Sequence, residues 1–249
     1  MNKKGVVRIG TSNIVLPGSR QTFPAEYHLK SRLNYYSSLF NTLEVNSTFY
    51  KLPRPSTFEK WSLDVPENFQ FTIKLWREIT HAKNLQANLD KIVAFLKAAE
   101  LPNKKKGCML VQFPGKITLG YYNQVEQILR KIKKEDPENN WQKAIEFRSS
   151  TWYVGETYEL LDEYGASMVL QDIPKAKTSQ INKAAKIVYL RFHGPRGDYR
   201  GSYSNDFLQE QSNKISQWIK TGKDVYAYFN NTIGSAFENA MALKRMVEN

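Results

Sequence analysis

The sequence predicts an α/β chain folded as a single (β/α)8 TIM barrel, and three observations carry that prediction. Short β-branched or aromatic runs recur eight times, the intervals between them show helical periodicity, and no Pro-, Gly- or Ser-rich linker divides the 249 residues. Residues 1–249 are therefore read as one domain. An open, doubly wound sheet is the alternative topology, because both folds are built from the same alternation of strand and helix.

In order, the strand runs are 6–12, 42–50, 69–75, 107–113, 143–148, 167–172, 187–194 and 225–231. Between the third and fourth, Leu85, Leu89, Ile92, Val93 and Leu96 recur at helical spacing ahead of Pro102. Between the fourth and fifth, Val125, Ile128, Leu129 and Ile132 do the same ahead of Asp136-Pro137. The turn-forming stretches 53–56 and 193–201 follow the second and seventh strands and are expected as loops on the barrel's upper rim.

Composition narrows the function classes. The chain is 41% hydrophobic and 13% aromatic, which is the balance of a folded globular protein. Lys plus Arg outnumber Asp plus Glu by 36 to 24, giving a basic protein of formal charge +12 that favours anionic partners. Nucleic acid is one such partner, although no zinc-finger spacing, RNA-recognition motif or Gly-rich nucleotide loop supports it. The chain has no apolar stretch of bilayer length and no secretory leader at its start, so no membrane partner and a cytoplasmic location are expected. A single cysteine, Cys108, lies in the apolar run Cys108-Met109-Leu110-Val111 and is read as a buried, inert thiol. Serine-hydrolase elbows, His-Glu-x-x-His pairs and phosphate-binding P-loops are all missing from the sequence.

The chemistry lies at the strand ends. Alternate strand residues point into a barrel, and sites on this fold gather where the strands finish. Counting by twos along Leu43-Glu44-Val45-Asn46 and Ala144-Ile145-Glu146-Phe147-Arg148 aims the polar residues inward and the apolar ones at the helices. The inward set becomes Glu44, Asn46, Thr48, Lys74, Gln112, Glu146, Arg148, Asp172, Arg191, His193, Tyr228 and Asn230. Within it Lys74, Arg148 and Arg191 balance Glu44, Glu146 and Asp172, so a self-satisfied ion network is the competing structural reading.

As a ligand site, the set has guanidinium forks for a carboxylate or phosphate and amides for neighbouring hydroxyls. Ligand-binding candidates are Asn46, Lys74, Gln112, Arg148, Asp172, Arg191, Tyr228 and Asn230. Rim aromatics Phe49, Tyr50, Trp76, Trp152, Tyr199, Tyr203 and Tyr228 would stack on a ligand and exclude water. The catalytic candidates are Glu44 and Glu146 as acid and base with separated pKa values, His193 as a neutral proton acceptor, and His81 on the loop after the third strand. Hydrolysis, elimination and isomerisation all remain open, and no cofactor is named by any motif.

The ordered stretches Ile9-Gly10-Thr11-Ser12, Glu44-Val45-Asn46-Ser47-Thr48-Phe49-Tyr50, Ile79-Thr80-His81, Gln112-Phe113-Pro114, Glu146-Phe147-Arg148 with Trp152, Arg191-Phe192-His193-Gly194 and Tyr228-Phe229-Asn230-Asn231 span nearly the whole chain. In that series the chain resembles the YecE-like family of bacterial proteins, also called domain of unknown function 72. The resemblance implies the TIM-barrel fold and no particular activity. Family members commonly place a glycine and an aromatic residue after Gly-Thr-Ser, whereas this chain has Asn13-Ile14-Val15-Leu16-Pro17-Gly18, with Phe23 or Tyr27 as replacement aromatics. Separately, Glu146, Asp172, His193 and Asn230 look in outline like the metal set of sugar isomerases and epimerases on this barrel, which makes a metal-dependent isomerase-, epimerase- or endonuclease-like barrel a further alternative. Asn230 offers a neutral oxygen where those enzymes use Glu, and the adjacent arginines repel a cation, so no metal is assigned.

Overall fold

Eight parallel strands follow one another around a barrel in the computed structural model, which describes residues 4–248. The expectation of a leader-free start rests on residues 1–6, of which 1–3 fall outside that range. The strands are β1 (Val7–Thr11), β2 (Thr42–Val45), β3 (Gln70–Lys74), β4 (Lys106–Phe113), β5 (Gln142–Phe147), β6 (Ala166–Gln171), β7 (Ile187–Phe192) and β8 (Asp224–Phe229). The hydrogen-bonded order runs β1-β8-β7-β6-β5-β4-β3-β2. That order is a closed cycle rather than a doubly wound sheet, and every strand run read from the sequence overlaps one of these strands.

The seam between β1 and β2 is closed mainly by side chains. Among the described residues, only the bridge Ser12–Glu44 joins the two edges directly. Asn41 stands in for the missing ladder: its Oδ1 accepts from the Ile9 amide at 3.3 Å and its Nδ2 donates to the Val7 carbonyl at 3.1 Å. Above it, the Tyr36 hydroxyl accepts from the Thr11 amide at 2.8 Å and donates to the Thr42 carbonyl at 3.2 Å. Glycine is required at position 10, where a Cβ would lie 2.4 Å from the Thr42 carbonyl oxygen.

Helices cover the barrel: α1 (Arg32–Leu39), α2 (Ser47–Tyr50), α3 (Pro55–Leu63), α4 (Arg77–Thr80), α5 (Asp90–Ala98), α6 (Tyr122–Glu135), α7 (Gly155–Glu163), α8 (Asn205–Lys220) and α9 (Ala236–Glu248). The expected apolar stripe of α6, Val125, Ile128, Leu129 and Ile132, is buried throughout. Ser31 caps α1 and Ser204 caps α8, each hydroxyl accepting from the backbone amide three residues on. One of the eight strand-then-helix units is a departure from expectation. Between β6 and β7, among the described residues, there is only a 3-10 turn, Pro174–Ala176. Residues 172–186 lack a helical apolar stripe, and Asn182 pins the connection instead, its Oδ1 accepting from the Met168 amide and its Nδ2 donating to Asp162 and the Ala166 carbonyl.

Two layers fill the lumen. The lower one is packed by Cys108, Leu110, Ala144, Val169, Ile187, Tyr189, Tyr226 and Tyr228, all buried. Cys108 is a free thiol there, and burial pushes its pKa well up, as expected of an inert cysteine. The tyrosine hydroxyls do not go unpaired: Tyr226 donates to Gln70 Oε1 at 2.7 Å, while Tyr228 bonds with Thr42 and Thr72 at 2.6 and 2.7 Å. The upper layer is polar.

Candidate functional site

The same period-two alternation that buries Leu43, Ile73, Val111 and Ile145 against the helices turns Glu44, Lys74, Gln112 and Glu146 to the axis at the carboxyl ends of the strands. There they surround Arg191 from β7. Arg191 is 1% exposed and forms two ion pairs with buried carboxylates. Its Nε and Nη2 donate to the two oxygens of Glu44 at 3.0 and 2.8 Å, and its Nη1 donates to Glu146 Oε2 at 2.6 Å. Glu44 also accepts from Ser12 Oγ at 2.6 Å and Tyr189 Oη at 2.5 Å. The remaining oxygen of Glu146 accepts from Arg148 Nε.

Burial by itself would raise the pKa of both carboxyls. The charge of Arg191 and its hydrogen bonds overcome that for Glu44, and Arg148 followed by Arg191 overcome it for Glu146, so both are held below the ordinary carboxylate range. The expected separation into one acid and one base therefore does not arise; both are anions at neutral pH.

His193 is committed as well. Its Nε2 lies 3.0 Å from Arg148 Nη2 and 3.2 Å from Arg191 Nη1, and guanidinium nitrogens only donate. Nε2 is thus the acceptor and the proton sits on Nδ1, which donates to Asp172 Oδ1 at 3.2 Å. Burial, with Arg191 nearby, lowers the His193 pKa despite Asp172. The imidazole is neutral, as expected, but its lone pair is already spent.

Above this charged floor opens a cavity of about 440 Å³. Six of the eight ligand-binding candidates line it: Asn46, Lys74, Gln112, Arg148, Arg191 and Asn230. Phe49, Tyr50 and Tyr199 line it as well, together with Asn13, Pro114 and Gly115, which the sequence reading did not single out. Asn13 adopts a left-handed φ of 64°, which only the structure reveals and which Asn tolerates better than most non-glycine residues; its Oδ1 accepts from the Asn46 amide at 3.2 Å. Asn46 itself lies past the end of β2. The second strand stops at Val45 and the short helix α2 follows, so Thr48 does not point into the lumen but bonds to the Lys74 backbone at 2.8 and 3.0 Å.

Several candidates stand elsewhere. Tyr228 is fully buried in the lower layer with its hydroxyl satisfied, because it sits one inward step below the strand end; it does not line the cavity. Asp172 is also off the cavity wall. Val169 is the inward residue of β6, which puts Asp172 in the opposite phase, and its carboxylate accepts from the His193 amide at 2.8 Å and from the Tyr203 hydroxyl. His81 packs edge-on against Phe49 at 4.9 Å and bonds Thr80 Oγ1 at 2.9 Å, outside the lining. Burial, then the charges of Lys74 and Arg77, lower its pKa to about 4. Of the rim aromatics, Trp152 is buried on Phe147, Tyr203 is buried on Phe207, and Trp76 lies beneath Lys91. Phe23 and Tyr27 pack on Tyr35 of α1, away from the cavity.

Lys74 differs from its neighbours. Its Nζ donates to Gln112 Oε1 at 2.9 Å and lies 4.2 Å from the centroid of the Phe49 ring. Among the described residues no carboxylate comes within ion-pair distance of it. Burial first, then the Arg191 charge, bring its pKa down to about 8. The alternative metal set does not assemble, because arginine contacts occupy Glu146 and His193; among the described residues no group of three His, Cys, Asp or Glu side chains is placed to hold an ion.

An eight-stranded parallel barrel with a cationic cavity at its carboxyl end defines the class, and comparison with known proteins supplies the family. The family model described as "Protein of unknown function DUF72" matches residues 8–249, and the chain belongs to that family. It is 24% identical to the UPF0759 protein YunF of Bacillus subtilis (strain 168) over 262 residues, covering 91% of this chain and 89% of that one. A crystal structure of a DUF72 family protein from Enterococcus faecalis V583 superposes with a TM-score of 0.78 at 22% identity, covering 98% of this chain and 96% of that one. Another, from Thermotoga maritima MSB8, gives 0.71 at 24% identity, covering 98% of this chain and all of its own. These likenesses carry the fold. No helix among the described residues is long and apolar enough to cross a membrane.

Proposed function

We propose that this barrel binds a small, hydroxyl-bearing anion in the cavity at its carboxyl end and acts on it by proton transfer. One observation carries the reading: the cavity wall has more hydrogen-bond donors than the protein uses. A guanidinium has five N–H groups and an ammonium three. Arg148 spends three of its five, on Glu146, His193 and the Tyr199 hydroxyl, and Arg191 spends four. Lys74 spends one of its three. The surplus calls for an acceptor-rich group, a carboxylate or phosphate. On the same cavity wall, Asn46 Oδ1 is buried and among the described residues has no hydrogen-bond partner, which fits it to accept from a ligand hydroxyl.

Glu44, Glu146 and His193 act in this reading as positioning residues. They fix the two guanidinium planes and neutralise part of their charge, so that a bound anion meets rigid donors. The proton-transfer role passes to Lys74, whose pKa of about 8 lies near the operating range of a general base. Titration calorimetry with inorganic phosphate, citrate and a sugar phosphate tests the proposal. At least one should bind the wild type, and Arg148→Met should weaken it by about tenfold or more, the worth of one charge-assisted hydrogen bond. Absence of binding by all three to a folded wild type would remove the anion site.

A further inference from the structure

We infer that the ligand of this cavity carries an aldehyde or ketone beside its anionic group, and that Lys74 Nζ holds it as an imine. The inference rests on the anion reading above and adds a second functional group to the ligand. Several lysines elsewhere in the chain are tied to carboxylates: Lys143 to Asp136, Lys106 to Glu100, Lys131 to Glu135. Lys74 is placed differently. It ends β3 on the cavity wall, and among the described residues its Nζ contacts an amide oxygen and a ring face. The site's two buried carboxylates are already taken by Arg191 and Arg148.

A lysine partly desolvated and set beside other cations is an arrangement that makes an amine nucleophilic. With its pKa at about 8, roughly a tenth of Lys74 is the free amine at pH 7. An exposed lysine of ordinary pKa is neutral less than about one time in a thousand. The ring of Phe49 on one side and Gln112 on the other limit the directions in which Nζ can move, so a carbonyl lodged beside the two arginines meets a positioned nucleophile.

The step balances without any further reagent. The Nζ lone pair adds to the carbonyl carbon while the C=O π pair moves to oxygen, which takes one proton from nitrogen to give a carbinolamine. The second N–H proton then departs with the hydroxyl as water, and the C=N bond forms. One water is released and nothing is oxidised or reduced. Lys74 is a catalytic residue on this account, because it bonds to the substrate.

Pyridoxal 5′-phosphate, which joins an aldehyde to a phosphate, and pyruvate, a smaller ketone with a carboxylate, serve as probes. Each is incubated with the full-length protein, reduced with borohydride, digested and mapped by mass spectrometry. Lys74 should be labelled by at least one probe ahead of exposed lysines such as Lys104 and Lys214, and inorganic phosphate should protect Lys74 but not those. Lys74→Arg should lose that label and keep its melting temperature within a few degrees. If calorimetry shows phosphate bound while neither probe labels Lys74, the imine is overturned and the anion site stands. If none of phosphate, citrate and the sugar phosphate binds or protects, the anion reading falls, and the paired-group ligand falls with it.

Discussion

Arg191 lies between Glu44 and Glu146 with almost no exposure, so replacing it leaves two carboxylates in the barrel without their cation. Breaking a buried ion pair in that way costs about 3–5 kcal/mol. Arg191→Met is therefore expected to lower the denaturation midpoint steeply, and adding Glu44→Gln and Glu146→Gln should recover part of the loss; a single variant as stable as wild type would contradict the pairing. Lys74 has the opposite sign. Its ammonium is half-buried with no carboxylate in ion-pair distance among the described residues, and the gap from 10.5 to about 8, at about 1.4 kcal/mol per tenfold change, makes it cost on the order of 3 kcal/mol. A folded pKa below the unfolded one means the full cost applies below pH 8 and is relieved as pH rises from about 8 to 10.5. Lys74→Met should thus be more stable than wild type at pH 7 and should lose that advantage by pH 10.5, which urea titrations at the two pH values would read directly.

The loop after β7 positions Tyr199 against both Arg148 and His193, and its backbone needs residues that accept left-handed geometry. Gly194 has φ 96°, and a Cβ there would lie 2.3 Å from the Arg200 carbonyl oxygen. The turn is tied by Tyr199 donating its amide to His193 at 2.6 Å and Gly197 donating to Gly194 at 2.8 Å. Left-handed backbone costs a non-glycine residue roughly 1–2 kcal/mol before any clash is counted. Gly194→Ala should lower stability by at least that amount and weaken anion binding as Tyr199 shifts; an unchanged midpoint and affinity would show that the loop does not position the site. The strands were more legible than their ends. The second run, read as 42–50, holds a strand only to Val45, because Asn46 already has helical dihedral angles and α2 begins after it. A β-branched and aromatic run such as Ser47-Thr48-Phe49-Tyr50 reads as strand locally, and tertiary packing of Thr48 and Phe49 overrides that preference.

Across the whole molecule, the ionic layer sets how the fold responds to acid. Glu44 and Glu146 have folded pKa values below their ordinary 4.5, so their stabilisation is present above that pH and is lost as pH falls below it. His193, whose folded pKa is also lowered, adds a term of the same sign, present above about 6.5 and lost as pH falls. Thermal unfolding should accordingly soften below pH 6.5 and collapse below about 4.5, and the slope should flatten in Glu44→Gln; a midpoint independent of pH from 7 to 4 would refute the buried network. Part of the +12 charge is held by contacts within the protein. In Lys104-Lys105-Lys106, the first pairs with Glu67, the second donates to the Val65 and Pro66 carbonyls and the third pairs with Glu100, so the run is anchored to its own surroundings.

Residue type and alternation along the chain were enough to specify eight strands, the core phase of each clean strand and six side chains that share one cavity, because the direction of a strand side chain is a local property with a period of two. The partners of those side chains were not local. Arg191 meets Glu44 across 147 residues, and Tyr189 meets it across 145. Only closure of the barrel brought them together, and with them the result that the carboxylates and His193 are spent on holding arginines while Lys74 keeps its amine. Which donors stay unpaired depends on the distances among eight strand ends at once, and no window of sequence contains those distances.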